Sequence, residues 1–227
     1  MSFLLDNCLI LVCKGAEFNA VNKGFNSRHD RFRSNLIKAT IITLPIGINP
    51  VNQRLLDFKN ENKSVLLLGL SGSLSPKYKV GDVVIYESSS YLDHQQKIIT
   101  KYCDRDMNNW LKDTLKVPIV KGITTDKLIH SSQEKEQLNS WGEVVDMESF
   151  AVMSNFKSVS VVRVISDNYD DNLPNLNDAI TTQGTLDNFK MSRVFIQQPI
   201  KAITLIKNAL WSLKKLEKVS HQIFISR

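Results

Sequence analysis

Seven short apolar runs rich in β-branched residues punctuate the chain: residues 8–13 (CLILVC), 40–44 (TIITL), 65–70 (VLLLGL), 82–87 (DVVIYE), 118–123 (PIVKGI), 143–146 (EVVD) and 159–166 (VSVVRVIS). Runs of this length, bounded by polar and turn-forming residues, read as strands. None approaches the ~20 apolar residues that a membrane-spanning helix requires. Between them lie segments of helical character: GAEFNAVNKGF after the first run, MESFAVMSNF after the sixth, and a long segment from about 199 to 219. This alternation predicts an α/β fold, one domain over residues 1–227, with a central mixed β-sheet flanked by helices in three layers.

In the last helix Ile203, Ile206, Leu210, Leu213 and Leu216 share a face, and Lys207, Lys214, Lys215 and Lys218 lie away from it. The pattern predicts a surface helix closed over the core; a helix lying on a membrane is the alternative. The stretch MSFLLDNCLILVCKG lacks a basic start and is interrupted by Asp6, so it reads as the first strand rather than a signal peptide. The polar stretches 27–35 and 167–178 are expected to be mobile loops.

The surplus of 29 Lys+Arg over 23 Asp+Glu is scattered and lacks an aromatic-basic array, so neither a nucleic acid nor a membrane partner is expected. Cys8, Cys13 and Cys103 are odd in number and widely spaced, which predicts a reduced cytoplasmic protein without structural disulfides. His29, His94, His130 and His221 fall in no cluster of ligand spacing, so no metal or other cofactor is expected.

Four strand ends carry unusual residues. In VVDMESFAVM (144–153), Asp146 and Glu148 interrupt a segment otherwise headed for the core, where an unpartnered carboxylate costs several kcal/mol. Glu17 follows the first strand, GLSGSLSP (69–76) ends the third in a glycine-containing turn, and Asp167 follows Ser166 at the end of the run 159–166. Ligands in open α/β sheets bind beyond the carboxyl ends of strands, and all four places lie there. Each also has an ordinary reading. Glu17 and Glu148 suit the first turn of a helix, Asp167 suits a cap or turn, and GLSGS suits a tight turn. The same GLSGS departs from the nucleophile-elbow pattern, because Ser73 stands where its closing glycine belongs, so a serine hydrolase is unsupported.

Taken together, VVDMESFAV, VRVISD and LLLGLSGSLSPKYKVGDVVIYE resemble the purine nucleoside phosphorylase and 5'-methylthioadenosine/S-adenosylhomocysteine nucleosidase superfamily, in the same order and spacing from about residue 8 to 167. The resemblance implies cleavage of the N-glycosidic bond of a purine nucleoside. Asp167 would be the general acid at purine N7 and Glu17 the residue that activates water. Glu148 would hold the ribose hydroxyls, with Met147 packed against sugar or base and Asp146 in support. Ser71, Gly72 and Ser73 would face the nucleophile, Ser166 would stand beside the acid, and Ile129 would line the base pocket, with Leu128 where nucleosidases favour an aromatic. Phosphorylases of the superfamily commonly carry an arginine where this chain has Leu67, so the resemblance leans to water over phosphate. Leu70, where both branches often have a hydroxyl, and Arg28, Arg31 or Arg33 as phosphate ligands weigh on the other side. Two further alternatives are a non-catalytic nucleoside-binding protein and an RNA-associated one. A homodimer is the implied assembly.

Overall fold

A computed structural model describes residues 8–26, 40–58, 63–92 and 97–226 of the protein. Among these residues eight strands share one mixed sheet: β1 (Leu9–Cys13), β2 (Thr40–Leu44), β3 (Val65–Ser73), β4 (Val83–Leu92), β5 (Ile98–Tyr102), β6 (Ile119–Thr124), β7 (Val144–Asp146) and β8 (Val159–Asp167). All seven runs seen in the sequence are strands. The eighth, β5, is IITKY at an edge beyond β4; its residues are largely exposed, so it lacks the apolar run that marked the others.

β1 and β3 pair in parallel, β3 pairs in parallel with β8, and β8 turns its other edge antiparallel to β4. Strands with neighbours on both sides and helices on both faces bury every side chain, which is why VLLL and VSVV are unbroken apolar runs rather than alternating ones. β3, β7, β6, β4 and β8 pair in cyclic order, so this part of the sheet closes on itself. β1 and β2 extend it as a wing.

Helices cover both faces. α1 (Ala16–Phe25), α3 (Arg105–Leu115) and α7 (Pro199–Ile225) enclose one core with Ile10, Leu66, Val162 and Ile223; α2 (Ile48–Arg54) and α5 (Ser149–Asn155) enclose the other with Leu11, Leu67, Val161 and Val152. The three-layer expectation corresponds to this arrangement. α4 (Ser132–Leu138) and α6 (Asn188–Gln197) complete the set.

Three expectations are corrected. GLSGS does not end β3 in a turn: the strand runs on to Ser73, with a register shift at Ser71/Gly72 against β8. α7 does not lay its whole apolar stripe on the core. Leu216, Val219 and Ile223 are buried, whereas Ile203, Ile206 and Leu210 face outward. Nor is the segment 167–178 loose. The Leu173 amide donates to His130 O, Asn177 is hydrogen-bonded to both backbone groups of Leu128, and Leu173 and Leu176 are buried. The other expected mobile loop, 27–35, with Arg28, Arg31 and Arg33, lies outside the described residues, as do His29 and His94.

Candidate active site

The strand pairing brings the flagged stretches to one place. Gly72 of β3 stands opposite Val145 of β7 on one side and Asp167 of β8 on the other, so the end of VVDMES and the end of VISD flank the β3 bulge. Glu17, in the first turn of α1 beyond β1, accepts a hydrogen bond from the Leu70 amide of β3 at 3.1 Å. Glu17, Glu148 and Asp167 therefore line one cavity of about 300 Å³, with Ser71, Gly72, Ile129, Asp146, Met147 and Ser166 also on its wall. The rest of that wall is mainly apolar, including Leu128, Leu173, Leu176, Leu205 and Ala209. A larger groove of about 850 Å³ between α1 and α7 contains none of these acids.

Ser73 is the one sequence candidate that the fold keeps out. It is fully buried, and its hydroxyl donates to Ser75 O at 2.7 Å, away from the cavity.

Two cations organise the acids, and neither was singled out from sequence. Arg163, at the centre of β8, has no exposed surface. Its Nε donates to Asp146 Oδ2 at 3.1 Å, and its Nη2 lies 2.9 Å from the same oxygen, 3.4 Å from Glu148 Oε2 and 3.2 Å from Ser149 Oγ. Asp146 also accepts from Thr124 Oγ1 at 2.9 Å, from the Glu148 and Ser149 amides and from the Ser149 hydroxyl. Its oxygens are thus taken by protein donors, and it acts on the site by orienting Arg163 and the start of α5. A charge inside a run otherwise headed for the core, VSVVRVIS, was the signal in the sequence.

Lys135 of α4 is likewise fully buried, with Nζ 2.5 Å from Asp167 Oδ2 and a second hydrogen bond to Asn168 O. No sequence pattern marks it, because SSQEKEQ reads as a solvated helix. The capping box of Ser131 with Glu134 fixes the first turn of α4 and so the position of Lys135 one residue later. The Ser166 hydroxyl stands 3.0 Å from Asp167 Oδ1 and 3.2 Å from Ser71 O.

Two glycines make room for this set. A Cβ on Gly69 would sit 2.2 Å from Arg163 Nη1 and 2.4 Å from Glu17 Oε2. One on Gly72 would sit 2.9 Å from Asp167 Oδ2. At both, the carboxylates lie directly on the strand backbone, an approach that only glycine permits.

Burial differentiates the acids. It raises Glu17 to about 7, with Arg163 opposing and Glu148 adding repulsion. Burial also raises Glu148, against the attraction of Arg163, and raises Asp167, against the charge and hydrogen bond of Lys135. Arg163 stays charged because Asp146 and Glu148 outweigh its own desolvation. Ser71 Oγ and Arg163 Nη1 are buried without hydrogen-bond partners among the described residues. Such groups are uncommon in a folded interior, and both lie beside the cavity acids. Among the described residues no three His, Cys, Asp or Glu side chains are grouped to hold a metal ion, and the cysteines are free thiols.

The fold recurs among known proteins. The chain superposes on the 5'-methylthioadenosine/S-adenosyl homocysteine nucleosidase of Helicobacter pylori at 18% identity with a TM-score of 0.63, over 95% of this chain and 97% of that one. For the futalosine hydrolase of the same organism the values are 18%, 0.64, 95% and 97%. For a putative 5'-methylthioadenosine/S-adenosylhomocysteine nucleosidase of Borrelia burgdorferi bound to adenine they are 15%, 0.66, 95% and 98%. At such identities the likeness is one of fold. No curated protein matches by sequence. The family model of the phosphorylase superfamily matches residues 16–192, most of the chain and every acid of the cavity, and the chain belongs to that superfamily.

Proposed function

We propose that the protein hydrolyses the N-glycosidic bond of a purine nucleoside. The observation that carries this reading is the convergence of Glu17, Glu148 and Asp167, from three separate stretches of sequence, on one largely apolar cavity. A purine offers flat apolar faces and a basic N7, and a ribose offers vicinal hydroxyls. The cavity has an apolar wall for the first, a buried acid for the second and a carboxylate acceptor for the third.

In this mechanism Asp167, raised by burial, carries the proton that N7 takes as the C–N bond breaks, with Lys135 and Ser166 holding the orientation of the carboxyl. Glu148 accepts from the ribose hydroxyls, and its charge favours the cationic ribosyl group that develops. Glu17, near 7, takes a proton from water as the water oxygen bonds to the anomeric carbon. Futalosine hydrolase and the nucleosidases that share the fold are consistent with a hydrolytic site.

Water is favoured over phosphate by charge. Around Glu17 the described groups are the acids Asp146 and Glu148 and one guanidinium, Arg163, already paired with both. A phosphate dianion needs cationic or multiple N–H partners, whereas water needs a base.

The test is release of free base from 5'-methylthioadenosine, adenosine, inosine and guanosine, with and without phosphate. Release without phosphate is the expected result. Release only with phosphate would make the protein a phosphorylase, and binding without release would make it a nucleoside-binding protein. Asp167→Asn is expected to lower turnover about 10²- to 10⁴-fold with little change in substrate binding, because its proton matters in the transition state.

A further inference from the structure

α6 and the first half of α7 are built unlike the other helices. α6 buries none of its residues. Phe189, Ile196 and Ile200 are each about 80% exposed, and Ile203, Leu210 and Trp211 more than 60%. Within α6 positions 189 and 196 are seven apart, and within α7 positions 200, 203 and 210 are three and seven apart, so each helix carries its exposed apolar residues along one side. The opposite side of α7 is the one in use: Ala202, Ser212 and Leu216 are buried, and Leu205 and Ala209 close the wall of the cavity. An apolar row of this length on a surface marks a contact with something else.

The charges beside the row say what. Between residues 188 and 216 there are six basic residues and no acidic one. Lys190, Arg193, Lys201, Lys207 and Lys214 take part in no ion pair among the described residues. Lys207 and Lys214 lie among Ile203, Ile206, Leu210 and Trp211 on one outward side. We infer that the outward side of α6 and α7 docks on an anionic lipid bilayer, lying in the headgroup region.

The physical fit has three parts. Aliphatic side chains standing about 80% clear of the surface are convex knobs suited to a fluid acyl boundary rather than to a rigid pocket. Lysines interleaved with them bury their stems while their ammonium groups reach phosphate. A second copy of this chain, paired through the same side about a two-fold axis, would bring the unpaired lysines of each copy against those of the other. Among the described residues no helix is long and apolar enough to cross a membrane, so the contact is one of lying on the surface. The inference departs from the sequence expectation of no membrane partner, follows the alternative that the basic amphipathic pattern of α7 offered, and stands independently of the catalytic reading.

The experiment is co-sedimentation of the full chain with vesicles of phosphatidylcholine alone and of phosphatidylcholine mixed with phosphatidylglycerol. Binding to the mixed vesicles, weakened by salt and accompanied by a blue shift of Trp211 fluorescence that Trp211→Phe removes, is expected. Lys207→Glu with Lys214→Glu should weaken that binding about tenfold or more, since each lysine near an anionic surface is worth about fivefold. Ile200→Ser with Ile203→Ser should weaken it comparably, with unchanged thermal melts as the control for folding. Absence of binding to mixed vesicles, or equal binding by the variants, overturns the inference. A serine variant that turns a dimer into a monomer in ultracentrifugation without altering vesicle binding assigns the face to a second copy and also overturns it.

Discussion

At the scale of one side chain, burying Glu17 carries a cost in stability that depends on pH. Its folded-state value of about 7 lies above the ordinary 4.5, because the fold buries the carboxylate beside Glu148. A carboxyl raised in this way favours the fold while it is protonated, and that contribution is lost as pH climbs from about 4.5 through about 7. Glu17→Gln is therefore expected to raise the melting temperature at pH 8, by up to ~3 kcal/mol of stability, and to leave it nearly unchanged at pH 4. Thermal melts of both proteins at the two pH values check this. A glutamine variant less stable at pH 8 would contradict it.

Lys135 gives the second prediction at this scale. As the cation opposing the rise of Asp167, its replacement by methionine lets that carboxyl climb further. The alkaline limb of the kcat/KM profile should move to higher pH, and kcat should fall about 10- to 100-fold as the carboxyl loses its orientation. A fall in rate with no movement of the limb would reduce Lys135 to a scaffolding role.

At the scale of elements, the strand β3 decides the geometry. Its bulge at Ser71/Gly72 and its glycines let two carboxylates rest on one strand. Gly72→Ala is expected to cut turnover at least tenfold with a melting temperature within a few degrees of the parent, because the new methyl meets the Asp167 carboxylate at 2.9 Å. Kinetics and melts on the same preparation test it, and normal turnover would remove the close approach from the mechanism. This strand was half legible: VLLLGL announced itself by apolar residues, but its continuation through SGS did not, because serine and glycine are turn formers in the absence of flanking strands. α3 and α4 carried signals that the apolar-run reading passed over. Met107, Leu111 and Leu115 recur at helical spacing, Asp104 caps α3 through the Met107 amide, and Ser131 with Glu134 forms a capping box.

At the scale of the whole molecule, the cavity draws on β3, β7, β8, α1 and α7, all bound to one sheet with a closed section. Urea unfolding followed by far-UV circular dichroism and by loss of base release is expected to coincide in one transition, because the carboxylates of the cavity are held by elements of that one sheet and the helix packed on it. Loss of activity well before loss of secondary structure would show that the cavity wall, including the segment 167–178, opens separately.

What the sequence by itself determined was the fold class, seven of the eight described strands and that Glu17, Glu148 and Asp167 stand at or just beyond strand ends, because apolar runs record burial directly and an acid there is costly without partners. Which cation faces which acid, that Lys135 is buried while Ile203 is exposed, and that Ser73 turns away were decided only by the tertiary structure. Those outcomes depend on strand register and on how α4, α6 and α7 pack, and a side chain's own chemistry does not encode the neighbours that long-range pairing brings to it.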